Sequence, residues 1–283
     1  MSFSQLRPLS IGEVLDGAFT IYRRQFASLF LTALVPQLPL LALFSVWYGF
    51  LSFAGAAGPA SEPSTAAVAT MGISAVILVP LAMFGYVITI GAVTFQTARA
   101  YTGAPVTTKE ALRRGLSCSL PLVGAYFVVG FLAFLGFFAL IIGAIIVMLG
   151  AFAVAPAVVL ERRGPTEAMS RSWALAKGAW GEVFLLGFIA SMIAGLPGFA
   201  VNMVTTVVGL LIAGNDPGMM MAAQGVGQVL GQVARTVTLP FSLGATVLLY
   251  YDRRVRTEAL DVQMMAESLA TAPAMETPAP SWG

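Results

Sequence analysis

Between residues 116 and 160 the chain runs 45 residues without a charged side chain. A helix crosses the hydrocarbon core of a bilayer in about 20 apolar residues. This stretch is therefore too long for one span, and it fits two helices joined by a tight turn near 136–143. Four further apolar stretches, roughly 26–53, 68–97, 183–213 and 222–251, are each long enough to cross. The pattern predicts an all-α polytopic membrane bundle of six transmembrane helices, arranged as three hairpins. Composition agrees: 58% of residues are hydrophobic and 10% charged, against about 25% charged in a soluble domain. Several stretches exceed the bilayer thickness and are expected to tilt, kink or extend past it. Pro36, Pro39, Pro80, Pro197 and Pro240 are the expected kink points.

Fourteen of the fifteen Lys and Arg residues can share one face of such a bundle. Arg7, Arg23 and Arg24 precede the first span. Arg99, Lys109, Arg113 and Arg114 separate the second from the third. Arg162, Arg163, Arg171 and Lys177 separate the fourth from the fifth, and Arg253, Arg254 and Arg256 follow the sixth. The other connections carry only Glu62 and Asp216. Lys and Arg near span ends set orientation, so both termini are expected in the cytoplasm of a bacterial cell, with the protein in its inner membrane. The 51–67 loop and the 214–218 turn then face outward. Residues 1–25 read as an N-terminal cytoplasmic interfacial helix, 26–256 as the transmembrane domain, and 257–283 as an acidic, Ala/Pro-rich cytoplasmic tail that is partly disordered. The first apolar run follows Glu13, Asp16 and the Arg23-Arg24 pair and is too long for a signal-peptide core, so no cleaved signal is expected.

A pattern recurs before each odd-numbered span. Ser10 with Glu13, and Thr107 with Glu110, have the spacing of a capping box. Gly164 and Pro165 start a third helix, with Glu167 at the same position. In the first of these, Ile11, Val14 or Leu15, Ala18 and Tyr22 line one face at helical spacing. Each unit thus reads as a short interfacial helix followed by a hairpin. Such helices either guide the chain into the hairpin or grip anionic headgroups or a cytoplasmic partner. On the second reading Arg23, Arg24, Arg113, Arg114, Arg171 and Lys177 make the contacts.

The fifteenth basic residue, Arg235, lies about midway along the sixth apolar stretch. A central arginine costs roughly 2.5–3.5 kcal/mol on insertion scales, so it should face the bundle interior or a wet cavity. Gln224, Gln228, Gln232 and Arg235 recur every three or four residues and share a helical face. Ala223, Gly227 and Gly231 form a small-residue strip beside them, suited to close approach of another helix. No acid within the spans pairs obviously with Arg235. The expected acceptors are the glutamines, Asn202, Thr205, Thr206, carbonyls freed at a kink, water or an anionic ligand. The candidate intramembrane polar site is Arg235, Gln232, Gln228, Gln224 and Asn202. Arg235 either fixes helix packing, faces a ligand, or, if the span starts later, reaches the outer surface. Gly136, Gly143 and Gly150 are spaced by seven, which suits one packed helix face unless the turn interrupts it.

The chain has no histidine and one cysteine, Cys118. The commonest general base and metal ligand is therefore missing, and no disulfide within the chain or cysteine-based zinc site can form. No cofactor, metal or nucleic-acid partner is expected. Glu161, Glu167, Glu182 and Asp252 are spaced as caps and span ends rather than as a catalytic dyad.

Three stretches carry a family resemblance. They are Arg7-Pro-Leu-Ser-Ile-Gly-Glu-Val-Leu-Asp16 with Tyr22-Arg-Arg24; Ala155-Pro-Ala-Val-Val-Leu-Glu161 with Glu167-Ala and Arg171-Ser-Trp-Ala-Leu175; and Leu248-Leu-Tyr-Tyr-Asp-Arg-Arg254. Together, over roughly residues 5–262, they resemble bacterial proteins grouped as the glycerophosphoryl diester phosphodiesterase membrane domain. In some members that domain is joined to a catalytic barrel, for which this chain has no room. The chemistry of that barrel is metal-assisted hydrolysis by histidine and carboxylates. The resemblance thus implies a membrane domain and no catalytic residue.

The sequence favours a non-enzymatic inner-membrane protein acting as scaffold, anchor or lipid-interacting module. Its partners would be membrane lipids with anionic headgroups, or a membrane or cytoplasmic protein. The alternative is a small transporter or lipid-handling protein that uses the polar face around Arg235. An enzyme acting on lipid diesters is a third, weaker reading.

Overall fold

A computed structural model of the protein describes residues 8–56, 65–138, 141–214 and 216–259. Its elements, in order, are α1 (Ile11–Arg24), α2 (Phe26–Leu34), a 3-10 turn at Val35–Gln37, α3 (Leu38–Ala56), α4 (Thr65–Tyr101), α5 (Thr108–Ser117), α6 (Ser119–Phe138), α7 (Ile142–Gly150), α8 (Val154–Glu161), α9 (Pro165–Ala176), α10 (Trp180–Ala213) and α11 (Pro217–Glu258). No strand occurs among the described residues. Six helical stretches are long and apolar enough to cross a membrane: Phe26–Phe50, Ala75–Tyr101, Ser119–Phe138, Ile142–Glu161, Trp180–Ala213 and Gly218–Glu258. Arg7, residues 57–64 and the tail after Ala259 lie outside the described residues, and the remainder of the predicted 51–67 loop is helical, 51–56 closing α3 and 65–67 opening α4.

The helix starts follow from their caps. Ser10 Oγ accepts from the Glu13 N–H, and the Glu13 carboxylate accepts from the Ser10 N–H at 2.8 Å. Thr107 and Glu110 repeat this at α5. At α9 only the carboxylate half exists, because Gly164 has no side chain; Glu167 accepts from its N–H at 3.3 Å. Asp216 caps α11 through the Gly218 and Met219 N–H groups.

The apolar faces of the short helices are spent inside the bundle. α1 runs antiparallel along the second half of α11. Its start is tied to Asp252 by the Leu9 N–H at 2.6 Å, and at its end the Tyr22 hydroxyl donates to the Val237 carbonyl at 2.9 Å. Between these points Val14, Ala18 and Ile21 are buried, in one cluster with Phe241, Ala245 and Leu248. α5 buries Ala111 and Gly115 against α4, and α9 buries Ala168, Met169, Ser172, Leu175 and Ala176. An amphipathic stripe signals that something covers it; here the cover is protein. α1 turns Ile21 fully inward and leaves Tyr22 half-buried.

α10 and α11 pack antiparallel over most of their length. α3 packs more extensively on α11 than on α4, its neighbour in sequence. At 42 residues α11 is about 63 Å long, twice a hydrocarbon core, and its C-terminal turns continue into the layer formed by α1 and α9.

The fourth apolar stretch is broken, which its uniform sequence does not announce. α7 ends at Gly150 and α8 begins at Val154. Ser172 of α9 stitches the gap: its hydroxyl donates to the Gly150 carbonyl at 2.6 Å and accepts from the Ala153 N–H at 2.9 Å. Trp173 lies against Gly150, where a side chain would collide with its ring. Gly136 and Gly143 face each other across the turn between α6 and α7. The three glycines therefore do not form one helix face: the turn separates Gly136 from Gly143, and Gly150 serves a different contact.

Candidate functional site

The 3-10 turn, α4, α10 and α11 enclose a cleft of about 360 Å³. Gln37, Tyr86, Ser191, Gln232, Arg235, Thr236 and Ser242 supply its polar lining, and Ala194, Gly195 and Leu239 the rest. Pro36 interrupts the first span and places Gln37, fully buried, against α11. Gln37 Oε1 accepts from Gln232 Nε2 at 2.6 Å and lies 3.4 Å from the Thr236 hydroxyl. That hydroxyl donates to the Gln232 carbonyl at 2.8 Å. Gly85 lets the backbone of α4 approach the Pro36 carbonyl and so brings Tyr86 to the rim. Pro240, one residue past Leu239, offers no N–H to the Thr236 carbonyl, and Pro197 likewise none to the Ile193 carbonyl.

Arg235 lies on this lining. Its stem packs over Gly198 of α10: a Cβ there would lie 2.6 Å from Arg235 Cγ and 2.8 Å from Nε. Among the described residues the guanidinium has no hydrogen-bond or ion-pair partner, and the residue is exposed. No acidic side chain lines the cleft. The acceptors anticipated from sequence are engaged elsewhere. Asn202 Nδ2 donates to the Gly227 carbonyl at 3.4 Å, Thr205 lies 2.9 Å from the Val201 carbonyl and Thr206 bonds the Asn202 carbonyl.

The predicted polar face thus divides. Gln232 and Arg235 line the cleft, whereas Gln224, Gln228 and Asn202 do not. The small-residue strip does meet a helix: Gly227 abuts Thr205, Gly231 abuts Asn202 and Gly198, and Ala223 abuts Gly209. Gln37, Tyr86, Ser191, Thr236 and Ser242 were not singled out by the sequence. Gln37, set between two prolines in an apolar run, was the one legible signal among them.

The cleft has a definite depth. Leu122, near the start of α6, packs on Gly91 of α4, and Tyr86 lies five residues back toward the N-terminus of α4, away from its basic end. At 1.5 Å per residue the cleft is about 12 Å along the bundle from the start of α6. The whole of α6, at 20 residues, is about 30 Å long. The cleft therefore lies in the half nearer the basic end.

At that end three stretches distant in the chain, around Leu9, Glu161 with Arg171, and residues 250–256, converge. Glu161 of α8 accepts from Arg171 Nε at 3.0 Å, from Arg163 Nε at 2.6 Å and from the Tyr250 hydroxyl at 2.6 Å. Arg171 also pairs with Glu258, which in turn accepts from Arg254 Nε at 3.0 Å. These two carboxylates, Glu258 foremost, push the Arg171 guanidinium further above its ordinary pKa. Arg256 Nε donates to Asp252 at 2.8 Å, and its Nη2 donates to the Leu9 carbonyl at 2.6 Å. Arg253 donates to the Leu175 and Lys177 carbonyls and lies 3.7 Å from Glu182.

Two of the predicted headgroup contacts are consumed here. Arg171 is only 17% exposed and is held between two acids. Arg114 donates to the Val159 carbonyl at 2.5 Å and lies over the Phe95 ring. Arg23, Arg24, Arg113 and Lys177 remain exposed, with no side-chain partner among the described residues. Glu161, Glu167, Glu182 and Asp252 are each engaged by a different group and form no dyad. The described residues hold no cluster of three or more Asp, Glu, Cys or His side chains suited to a metal. No family model, curated protein or solved structure matches this chain.

Proposed function

We propose that the chain is a non-enzymatic, multi-pass protein of the bacterial cytoplasmic membrane that holds the anionic headgroup of a lipid in the cleft around Arg235. The six long helices cross as three hairpins, with α1, α5 and α9 and both termini on the cytoplasmic side, in keeping with the positive-inside rule. Membership in the glycerophosphoryl diester phosphodiesterase membrane domain family belongs to the same reading and rests on the three convergent stretches.

The observation that carries the proposal is the unpaired guanidinium of Arg235, set among hydroxyls and amides in a cleft with no acid. A cation at this depth in a membrane without a counter-charge is expensive, and an anion arriving from outside supplies what the fold withholds. A volume of about 360 Å³ is within the range of small-ligand sites. Arg23, Arg24, Arg113 and Lys177 would meet anionic headgroups at the membrane surface and hold the protein at its working depth. The lipid-handling role thus takes precedence over a pure scaffold, since packing alone leaves the guanidinium unanswered. Native mass spectrometry of wild type and Arg235→Gln tests it. Wild type should retain lipid that the variant loses while still running as folded protein; equal retention would contradict the reading.

A further inference from the structure

Resting on that reading, we infer that the cleft selects a lipid headgroup with one net negative charge and no ammonium group. The charge inventory of the lining is the argument. It holds one permanent cation, Arg235, and no carboxylate. Every other polar group in it is neutral: two amides, from Gln37 and Gln232, and four hydroxyls, from Tyr86, Ser191, Thr236 and Ser242.

A single guanidinium balances one negative charge through paired N–H donors. A second negative charge would be left uncompensated where water is scarce. A zwitterionic headgroup would bring an ammonium beside Arg235 with nothing to receive it, and like charges at such distances repel strongly in a low dielectric. The neutral groups suit phosphoryl oxygens and uncharged substituents, which ask only for hydrogen bonds.

Depth and access fix the source as a lipid. The cleft lies about 12 Å inside the start of α6, so a headgroup from the leaflet at the basic end has a short way to sink while its chains stay in the bilayer. Tyr86, Ser191, Gly195 and Arg235 are all exposed at the cleft, and α10 packs chiefly on α11 rather than on α4. That leaves a side entrance between α4 and α10. Gly195 stands in it with open space around its Cβ position.

The test uses the full chain in nanodiscs containing, at equal fraction and with the same acyl chains, phosphatidylmethanol, phosphatidylethanolamine or phosphatidic acid at alkaline pH. Lipid retained after detergent extraction is counted by native mass spectrometry. Wild type should retain phosphatidylmethanol at least tenfold over the other two, and millimolar methyl phosphate should not displace it. Arg235→Gln should erase the preference. Gly195→Trp should reduce retention by filling the entrance, with thermal stability kept. Equal retention of all three lipids by wild type, lost in Arg235→Gln, would overturn the charge selection and leave the binding role standing. Displacement by methyl phosphate would replace the lipid by a free anion. Retention unchanged in Arg235→Gln would overturn both proposals.

Discussion

The stem of Arg235 lies directly over Gly198, whose missing side chain is the space the arginine occupies. α10 and α11 approach closely at this level, and the Gly231 carbonyl is 3.1 Å from the same Cβ position. Gly198→Ala should therefore push Arg235 off its seat. Overpacking costs about 1–3 kcal/mol, so a lowered melting temperature in detergent is expected, together with weaker lipid retention. A variant as stable and as lipid-bound as wild type would show that the contact is not tight.

Glu161 gathers Arg163, Arg171 and Tyr250 at the end of α8. Removing its charge leaves the partly buried Arg171 with Glu258 as its one remaining acid. Glu161→Gln should cost about 2–3 kcal/mol, near the lower end for a broken buried pair because the site is not fully dry. Tyr250→Phe should cost about 2 kcal/mol, chiefly through loss of the hydroxyl's bond to the Glu161 carboxylate, with the longer bond from Arg254 lost beside it. The two should be non-additive, because they remove the same bond. Strict additivity in thermal unfolding would contradict a shared network.

Ser172 is the only side chain seen to bond both sides of the break between α7 and α8 among the described residues. Ser172→Ala should cost about 1–3 kcal/mol, and should speed hydrogen exchange at the Ala153 amide more than in the middle of α6. Uniform exchange would indicate that the break holds without it.

At α5 the Thr107 N–H, and after it the Thr107 hydroxyl, bonds the Glu110 carboxylate and lowers its pKa. A carboxyl lowered in the folded state contributes stability that is present above its unfolded pKa and lost as pH falls through the folded value. The first turn of α5 should accordingly fray on acidification below the ordinary carboxylate range. Glu110→Gln keeps an amide oxygen that can accept from the Thr107 N–H, so exchange at that amide should become insensitive to carboxylate titration. Acid-dependent fraying that persists in this variant would assign the effect to another group.

What the sequence conveyed was burial in lipid and the positions of the caps. Both follow from local rules: apolar length, and an oxygen three residues from a carboxylate. What it withheld depended on partners distant in the chain. Gln37 reads as a polar residue in a proline-broken run, and nothing nearby indicates that it meets Gln232. Ala151, Phe152 and Ala153 carry no breaking signal, because Ser172 and Trp173 hold the break from another helix. Arg171, on a short basic helix, was expected to be open to headgroups, while its partners are Glu161 and Glu258. The stripe on α1 was legible as apolar, but a stripe does not reveal whether lipid or protein covers it.

The most direct measurement is an experimental density map of the protein in nanodiscs containing a monoanionic lipid. Headgroup density is expected between Gln37, Tyr86, Gln232 and Arg235, within hydrogen-bonding distance of the guanidinium, and none in Arg235→Gln. An empty cleft, or an Arg235 side chain turned away from it toward the membrane surface, would contradict the central claim.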